Sequence, residues 1–426
     1  MRGRATWIGG AGGNLYQQEP EWKAEKHQPR MEIANVFSDP NRARRVAHEV
    51  AGKGRVVTAL ARHVGQLLSV GFDGTAAPAD LLARIAAGEV GGVMLFRPNI
   101  ASPGQVADLV GALRGAAPDG APLLVSIDQE GGLVQRVRAP ATEWPPMQAV
   151  GAGGDPARTT AVGRALGEEL AALGIGWDFA PVLDVHTNPA NPVIGNRAFG
   201  SDAAAVATHA LAFWRGLRGA GLVGCGKHFP GHGDTHTDSH HDLPVVAHDA
   251  ERLRAVELAP FAVAARVGME ALMTAHVMYP ALDPDRPATL SRRIATDLLR
   301  GELGFRGVLV SDDLGMKAVA DRYPIEELAT GAIAAGVDHL LMREPAARQQ
   351  AAFDALLRAA ESRAELRARV EESAARVAAL KAACTVAMPA PGAMLPSLLG
   401  TPAHKALAAS FGTAAPSAVA KSPVVG

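Results

Sequence analysis

The stretch GLVGCGKHFPGHGDTHTDSHHDLP, residues 221–244, decides how this chain folds. Its first part, GLVGCGKHF (221–229), reads as a buried strand; from Lys227 to Pro244, five histidines and three aspartates stand among glycines and prolines. Neither a helix interior nor a central strand tolerates that second composition, so an apolar strand runs straight into a loop that carries chemistry. The same grammar recurs along the chain. Further strand candidates are LLSVGFD (67–73), GGVMLFR (91–97), PLLVSID (122–128), IGWDFAPVLDV (175–185), ALMTAHV (271–277), GVLVSDD (307–313) and DHLLMR (338–343). Between them lie stretches rich in Ala, Leu and Arg at 77–87, 103–115, 156–173, 201–219, 250–266, 291–300, 325–335 and 347–382. Many of these space their apolar residues by three and four, which predicts amphipathic helices.

Near-continuous apolar strands imply burial on both faces, the mark of a parallel sheet whose crossovers are helices. Eight such units predict an α/β fold closed into a TIM (β/α)8 barrel; alternation alone would also allow an open doubly wound sheet. The placement of polar residues favours the barrel. Asp73, Arg97, Asp128, Asp184, Lys227, His228, His276, Asp312 and Arg343 all fall at or near the C-terminal end of a strand candidate. That rim is where such barrels keep their active sites. The reading gives one catalytic domain over 55–385 with flexible extensions at both ends: a partly disordered N-terminal one over 1–54 and a low-complexity, Ala/Pro/Ser/Gly-rich tail over 386–426 that is expected to be mostly disordered.

A net charge of −1 supplies no basic field for nucleic acid, and 4% aromatic residues offer few stacking platforms for bases. Two cysteines, Cys225 and Cys384, are too few for a disulfide framework or a Cys-rich zinc site. The N-terminal stretch starts basic without the apolar run of a signal peptide, and no apolar run approaches the roughly 20 residues that span a bilayer. The expectation is therefore a monomeric cytoplasmic protein that binds neither nucleic acid nor membrane.

The histidine-rich loop admits three readings. Gly221 to Lys227 fits the start of G-x-x-x-x-G-K, yet His228 follows where a phosphate-binding loop needs Ser or Thr, and the glycines lie inside the strand. His228, His232, His236 and His240 recur every four residues, a zinc-binding spacing on a helix, but Pro230, Gly231 and Gly233 deny them a helix. Asp238-Ser239-His240 sets a carboxylate two residues before an imidazole, so that one ring nitrogen can be held while the other exchanges a proton. Alternatively these polar residues only knit the loop together, a role expected in any case of Thr235, Thr237 and Ser239.

Other rim segments add partners. Ser311-Asp312-Asp313-Leu314-Gly315-Met316 ends the seventh strand candidate, two units beyond the histidine loop. A carboxylate there can act as nucleophile, with Asp313 or Ser311 left for structural work. After the third strand candidate, Asp128-Gln129-Glu130-Gly131-Gly132 is followed by Val134-Gln135-Arg136, acids and a cation suited to a polyhydroxylated ligand, although Asp/Glu-Gly-Gly is also ordinary turn chemistry. The long loop TNPANPVIGNRAFG (187–200) carries Arg197 near its end; a long ordered loop usually has a function.

Taken together, IDQEGG…VQR, NPVIGNRAFG, KHFPGHGDT…DSH…LP and SDDLGM resemble, in that order, the bacterial β-N-acetylglucosaminidases of glycoside hydrolase family 3. The resemblance runs over roughly 65–345. It implies a TIM barrel that needs no metal or organic cofactor and releases N-acetylglucosamine from β-linked glycans, including peptidoglycan fragments. By the same resemblance Asp312 is the nucleophile of a retaining reaction, His240 the acid/base and Asp238 its orienting partner. Asp128, Arg136, Arg197, Lys227 and His228 are expected to hold the sugar. Leu133 departs from the family's usual arginine in DQEGGRVQR, and Pro98 intrudes into an F-x-R-N pattern. Phosphate in place of water as acceptor is an alternative, because a neutral histidine base repels that anion less than a carboxylate does; a metal-dependent hydrolase is a second. Gly231 and Gly233 are expected to let the loop close over the sugar.

Overall fold

Short apolar runs whose residues are buried on both faces can pair only with neighbours on either side, and here they do so in parallel. A computed structural model describes residues 58–412, apart from 237, 238, 240 and 241. Its strands are β1 (Leu68–Val70), β2 (Gly92–Leu95), β3 (Leu124–Ile127), β4 (Gln129–Gly131), β5 (Val134–Gln135), β6 (Trp177–Asp178), β7 (Val223–Phe229), β8 (Ala271–Thr274), β9 (Val308–Val310) and β10 (Leu340–Met342). Eight of them form one sheet in the order β10-β1-β2-β3-β6-β7-β8-β9, all pairs parallel. A bridge from Val310 to His339 and the bond from Ser311 N to His339 O join the two ends. The fold is the expected TIM-type barrel, with β4 and β5 added as an antiparallel hairpin directly after β3.

Strand side chains alternate between two apolar layers. Met94, Val223, Cys225, Ala271, Met273, Val308, Val310 and Leu341 point into the barrel, where Trp177 and Phe179 meet edge to face at 4.8 Å. Val93, Leu95, Leu272, Leu309, Leu340 and Met342 face the surrounding helices instead. The floor is sealed by Val377 and Leu380 of the helix Ala364–Ala383.

Several elements are shorter or more broken than the sequence predicts. The strand expected over 175–185 keeps only Trp177–Asp178 and a bridge from Val182 to Lys227, because Pro181 has no N–H for the ladder. The helix expected over 250–266 splits into Ala250–Ala255 and Ala259–Arg266 ahead of Pro260, whose ring disfavours helix before it. The stretch 347–382 divides into Ala346–Ser362 and Ala364–Ala383 at an extended Arg363. Residues 293–302 form a π-helix.

The tail needs a larger correction. The described part of 386–426 is folded, with helices Leu395–Leu398 and Pro402–Ala409, and Leu395, Leu399 and Ala408 buried in the outer core. Composition had hidden three apolar anchors among its alanines and prolines. The expectations for 1–54 and for the last fourteen residues lie outside the described residues, and so do those for Asp238, His240 and Thr237. No helix among the described residues is long and apolar enough to cross a membrane.

Candidate active site

At the C-terminal rim a cavity of about 530 Å³ is lined by Asp128, Arg136, Arg197, Lys227, His228 and Asp312. These are six of the eight expected site residues, brought together from β3, the β4–β5 hairpin, the 187–200 loop, β7 and the turn after β9. Asp73 and Arg97, also on the rim, do not line it. The volume lies within the range of small-ligand sites. The lining also includes apolar Met94, Phe96, Met273 and Leu341, and the Arg343 guanidinium lies 4.8 Å over the Phe96 ring.

One wall is a buried network of alternating charge. Lys227 Nζ reaches Asp128 Oδ1 at 2.7 Å and Glu130 Oε1 at 2.6 Å. Arg197 grips Glu130 with both arms, Nε to Oε2 at 2.8 Å and Nη2 to Oε1 at 2.7 Å. Arg136 Nη2 stands 3.6 Å from Asp128 Oδ2. Burial by itself would push Glu130 up, but Arg197 and Lys227 outweigh it and hold that carboxyl well below the usual range. Lys227 is likewise held above its ordinary value: burial opposes its charge, and Asp128 and Glu130 overcome that opposition. With its ammonium committed to two carboxylates, Lys227 does not serve as the cation of a phosphate-binding loop.

Glu130 was visible in the sequence as part of DQEGG but had no role there. It is the carboxylate on which Lys227 and Arg197 converge, and Arg197 therefore spends its planar fork on Glu130 while its side chain still reaches the cavity. Asp184, on the rim after β6, is the second such residue. Its Oδ1 accepts from the backbone N–H of His228 and His232, and its Oδ2 lies 2.7 Å from His228 Nδ1. Because a carboxylate only accepts, His228 carries its proton on Nδ1. Burial opposes the charge of Asp184; His228 counters it, and the pKa falls.

The histidines of the loop do different jobs. His232 Nδ1 lies 2.9 Å from Thr235 Oγ1 and its Nε2 3.2 Å from Ser239 Oγ; burial, with His228 beside it, pushes it down to about 4. It is a neutral strut, and Thr235 and Ser239 take the knitting role expected of them. Asn188 donates to Thr235 O and meets His236 Nδ1, while Asn191 donates to His232 O, so the 187–200 loop props the histidine loop from below. Gly233 is required by a close approach: a Cβ there would stand 1.8 Å from Val185 O. Gly231, at φ +132°, would press a Cβ to 2.8 Å from Glu257.

Beyond β9, Asp312 Oδ1 accepts from Asp313 N at 2.8 Å and its carboxylate lines the cavity. Asp313 also borders the cavity, but its Oδ1 is occupied in accepting from Gly315 N and Arg343 N, and Ser311 Oγ accepts from Leu341 N. Both take the structural work expected of one of them. Burial pushes Asp313 up to about 6 despite those two donors. His276, at the end of β8, lies 3.0 Å through Nε2 from Asp313 O and 2.8 Å through Nδ1 from Thr289 Oγ1, and so backs the same turn. Asn99, in the FRPNI departure, accepts from Phe96 N and donates to Phe72 O and Gly74 O, tying the first two rim loops together.

A barrel whose rim gathers a carboxylate, an oriented imidazole and a fixed set of acids and cations around a small cavity is built for a polar, polyhydroxylated ligand. The sequence matches the glycosyl hydrolase family 3 N terminal domain over residues 59–380, and the chain belongs to that family of glycoside hydrolases. Among relatives, beta-hexosaminidase A of Pseudoalteromonas piscicida is 38% identical over 372 residues, 80% of this chain and 61% of that protein. This chain thus spans less than two thirds of that relative's length. The beta-hexosaminidase of Stenotrophomonas maltophilia (strain R551-3) is 40% identical over 285 residues, 66% of this chain and 84% of its own. The solved structure of a glycoside hydrolase family 3 beta-N-acetylglucosaminidase from Paenibacillus sp. str. FPU-7 aligns with a TM-score of 0.78 at 44% identity, covering 83% of this chain and 68% of that one.

Proposed function

We propose that this chain is a retaining, exo-acting β-N-acetylglucosaminidase. It releases terminal non-reducing N-acetylglucosamine from β-linked glycans, with peptidoglycan fragments as the natural source, through a covalent glycosyl-enzyme. The observation that carries the reading is the convergence of Asp312 with Asp128, Arg136, Lys227 and His228 on one rim cavity; the names of the relatives point the same way. Asp128 and the Nε2 edge of His228 hold sugar hydroxyls, and Asp312 attacks the anomeric carbon from below the ring. The leaving oxygen takes a proton from His240, whose imidazolium is favoured and oriented by Asp238. In the second half the neutral ring removes a proton from water as that water displaces Asp312. Support for the histidine's attendance comes from Ser239, which lies between the two residues in sequence, lines the same cavity and accepts through its carbonyl from Ala318 N at 3.3 Å.

Replacing His240 tests the acid role. For His240→Ala, kcat/KM on a natural β-linked disaccharide falls by about 10²–10⁴, while an aryl glycoside with a good leaving group loses far less, since only the former needs protonation. Equal losses on both substrates refute the assignment. Water is the acceptor in this reading: in phosphate buffer with chelator present the purified protein yields free sugar at full rate. Sugar 1-phosphate as the main product, or activity that zinc alone restores, overturns that statement in favour of a phosphorylase or a metal-dependent hydrolase. We also take the enzyme to be a cytoplasmic monomer; the thiols of Cys225, which is buried, and Cys384 are both free, as a reducing compartment keeps them. Cell fractionation and size-exclusion chromatography test these two points.

A further inference from the structure

Past residue 380, where the family match ends, the chain does not leave the barrel. It is led off by Arg114, which donates to Val386 O and Ala387 O, and it crosses to the side of the barrel that bears the β4–β5 hairpin. There it meets Glu169, a carboxylate with 3% exposure on the helix Pro156–Ala172. Two donors come to Glu169 from the strap, Gly400 N at 2.9 Å and His404 Nδ1 at 3.0 Å; two come from Thr142, its N at 3.0 Å and its Oγ1 at 2.7 Å. Thr142 follows β5, on a segment that is tied back to the hairpin where Gly132 N donates to Trp144 O. Its carbonyl accepts from Gln135 Nε2 at 2.7 Å, and Gln135 is the β5 residue next to Arg136. The contact is close as well as polar: Gly400, at φ +58°, passes so near Pro140 that a Cβ would stand 1.9 Å from its carbonyl oxygen.

We infer that residues 386–412 form part of the sugar-holding wall, with Glu169 and His404 as positioning residues that fix Arg136 through Thr142 and Gln135. The inference rests on the proposed function for its kinetic readout. Loss of the strap contact frees the hairpin to shift, which weakens the hold on the sugar without touching Asp312 or the histidine loop. The strap itself lies beyond the family match over residues 59–380, whereas Glu169, Thr142, Gln135 and Arg136 lie within it.

The test uses the full chain. Gly400→Val forces a side chain into Pro140 O; His404→Ala removes one donor; His404→Asn keeps a donor at the place of Nδ1. Expected for the first two is a KM on an aryl β-N-acetylglucosaminide raised about five- to tenfold with kcat within about twofold, and for His404→Asn a KM near wild type. Partial unfolding lowers the apparent kcat but leaves KM alone, so the split separates positioning from mere destabilisation. Amide hydrogen exchange across residues 129–144 gives a second readout that needs no turnover: exchange is faster in Gly400→Val and His404→Ala than in wild type and His404→Asn. Unchanged KM together with unchanged exchange overturns the inference. Wild-type protein inactive on the substrate sinks the proposed activity instead, and the exchange data then decide the strap by themselves.

Discussion

Asp312→Ala is expected to lower kcat on an aryl β-N-acetylglucosaminide by about 10⁴-fold or more, while thermal unfolding stays close to wild type. The size of the loss follows from the proposed role, in which no glycosyl-enzyme forms without the carboxylate and the remaining wall only binds. Preservation of the fold follows from the geometry. The turn after β9 loses one bond, from Asp313 N to Asp312 Oδ1, but keeps those that Asp313 accepts from Gly315 N and Arg343 N and that Ser311 accepts from Leu341 N. Azide supplies a sharper version of the test. Entering the space that the carboxylate vacates, it attacks the anomeric carbon from the same face and leaves an α-glycosyl azide, restoring part of the rate for substrates with good leaving groups. Under the proposed retaining reaction, with two displacements, the wild-type enzyme is expected first to release the β-anomer. Turnover in Asp312→Ala within about tenfold of wild type, or an α-anomer as the first wild-type product, would sink the assignment.

The barrel was legible because its strands are buried on both faces and end in polar residues, a pattern that needs no tertiary knowledge. Six of the expected site residues line one cavity, and the sequence marked them in different ways: Asp128, Lys227, His228 and Asp312 close apolar runs, Arg136 follows a glycine-rich turn and Arg197 stands in the long 187–200 loop. Less visible were residues that act on other side chains. Glu130 looks like turn chemistry until Lys227 and Arg197, distant in sequence, arrive on it, and Asp184 looks like one more rim acid until two backbone N–H groups and an imidazole do. The break at Arg363 has no mark in the sequence at all, since neither Pro nor Gly stands there. The strap was misread because composition reports the many alanines and prolines of 386–412, whereas its docking rests on single residues, Leu395, Leu399, Gly400 and His404. Gly231 and Gly233 were expected to let the histidine loop close over the sugar; that Gly233 is also demanded by the backbone of Val185 is a close approach that only the folded chain reveals.

Glu130→Gln is expected to cost about 3–5 kcal/mol of stability at pH 7, among the larger losses available to one substitution in this chain. Two cations share this carboxylate, which is 1% exposed, and the amide that replaces it neutralises neither while turning a donor toward one of them. Arg197 loses its bidentate partner; Lys227 keeps only Asp128. The same substitution should raise KM, since Lys227 then draws Asp128 away from the sugar. Its pH signature has a definite sign. Lys227 and Arg197 hold the folded-state pKa of Glu130 below its unfolded value, so the carboxylate's contribution is fully present above about pH 4.3 and is lost as pH falls from there toward the folded value. Urea unfolding at pH 7 and at about pH 4 therefore separates the variants: wild type loses part of its advantage at the lower pH, and Glu130→Gln, with no proton to take up at this position, changes less. A variant that unfolds within about 1 kcal/mol of wild type at pH 7 shows that the Lys227–Glu130–Arg197 network does not hold the wall, and the role given to this buried acid fails with it.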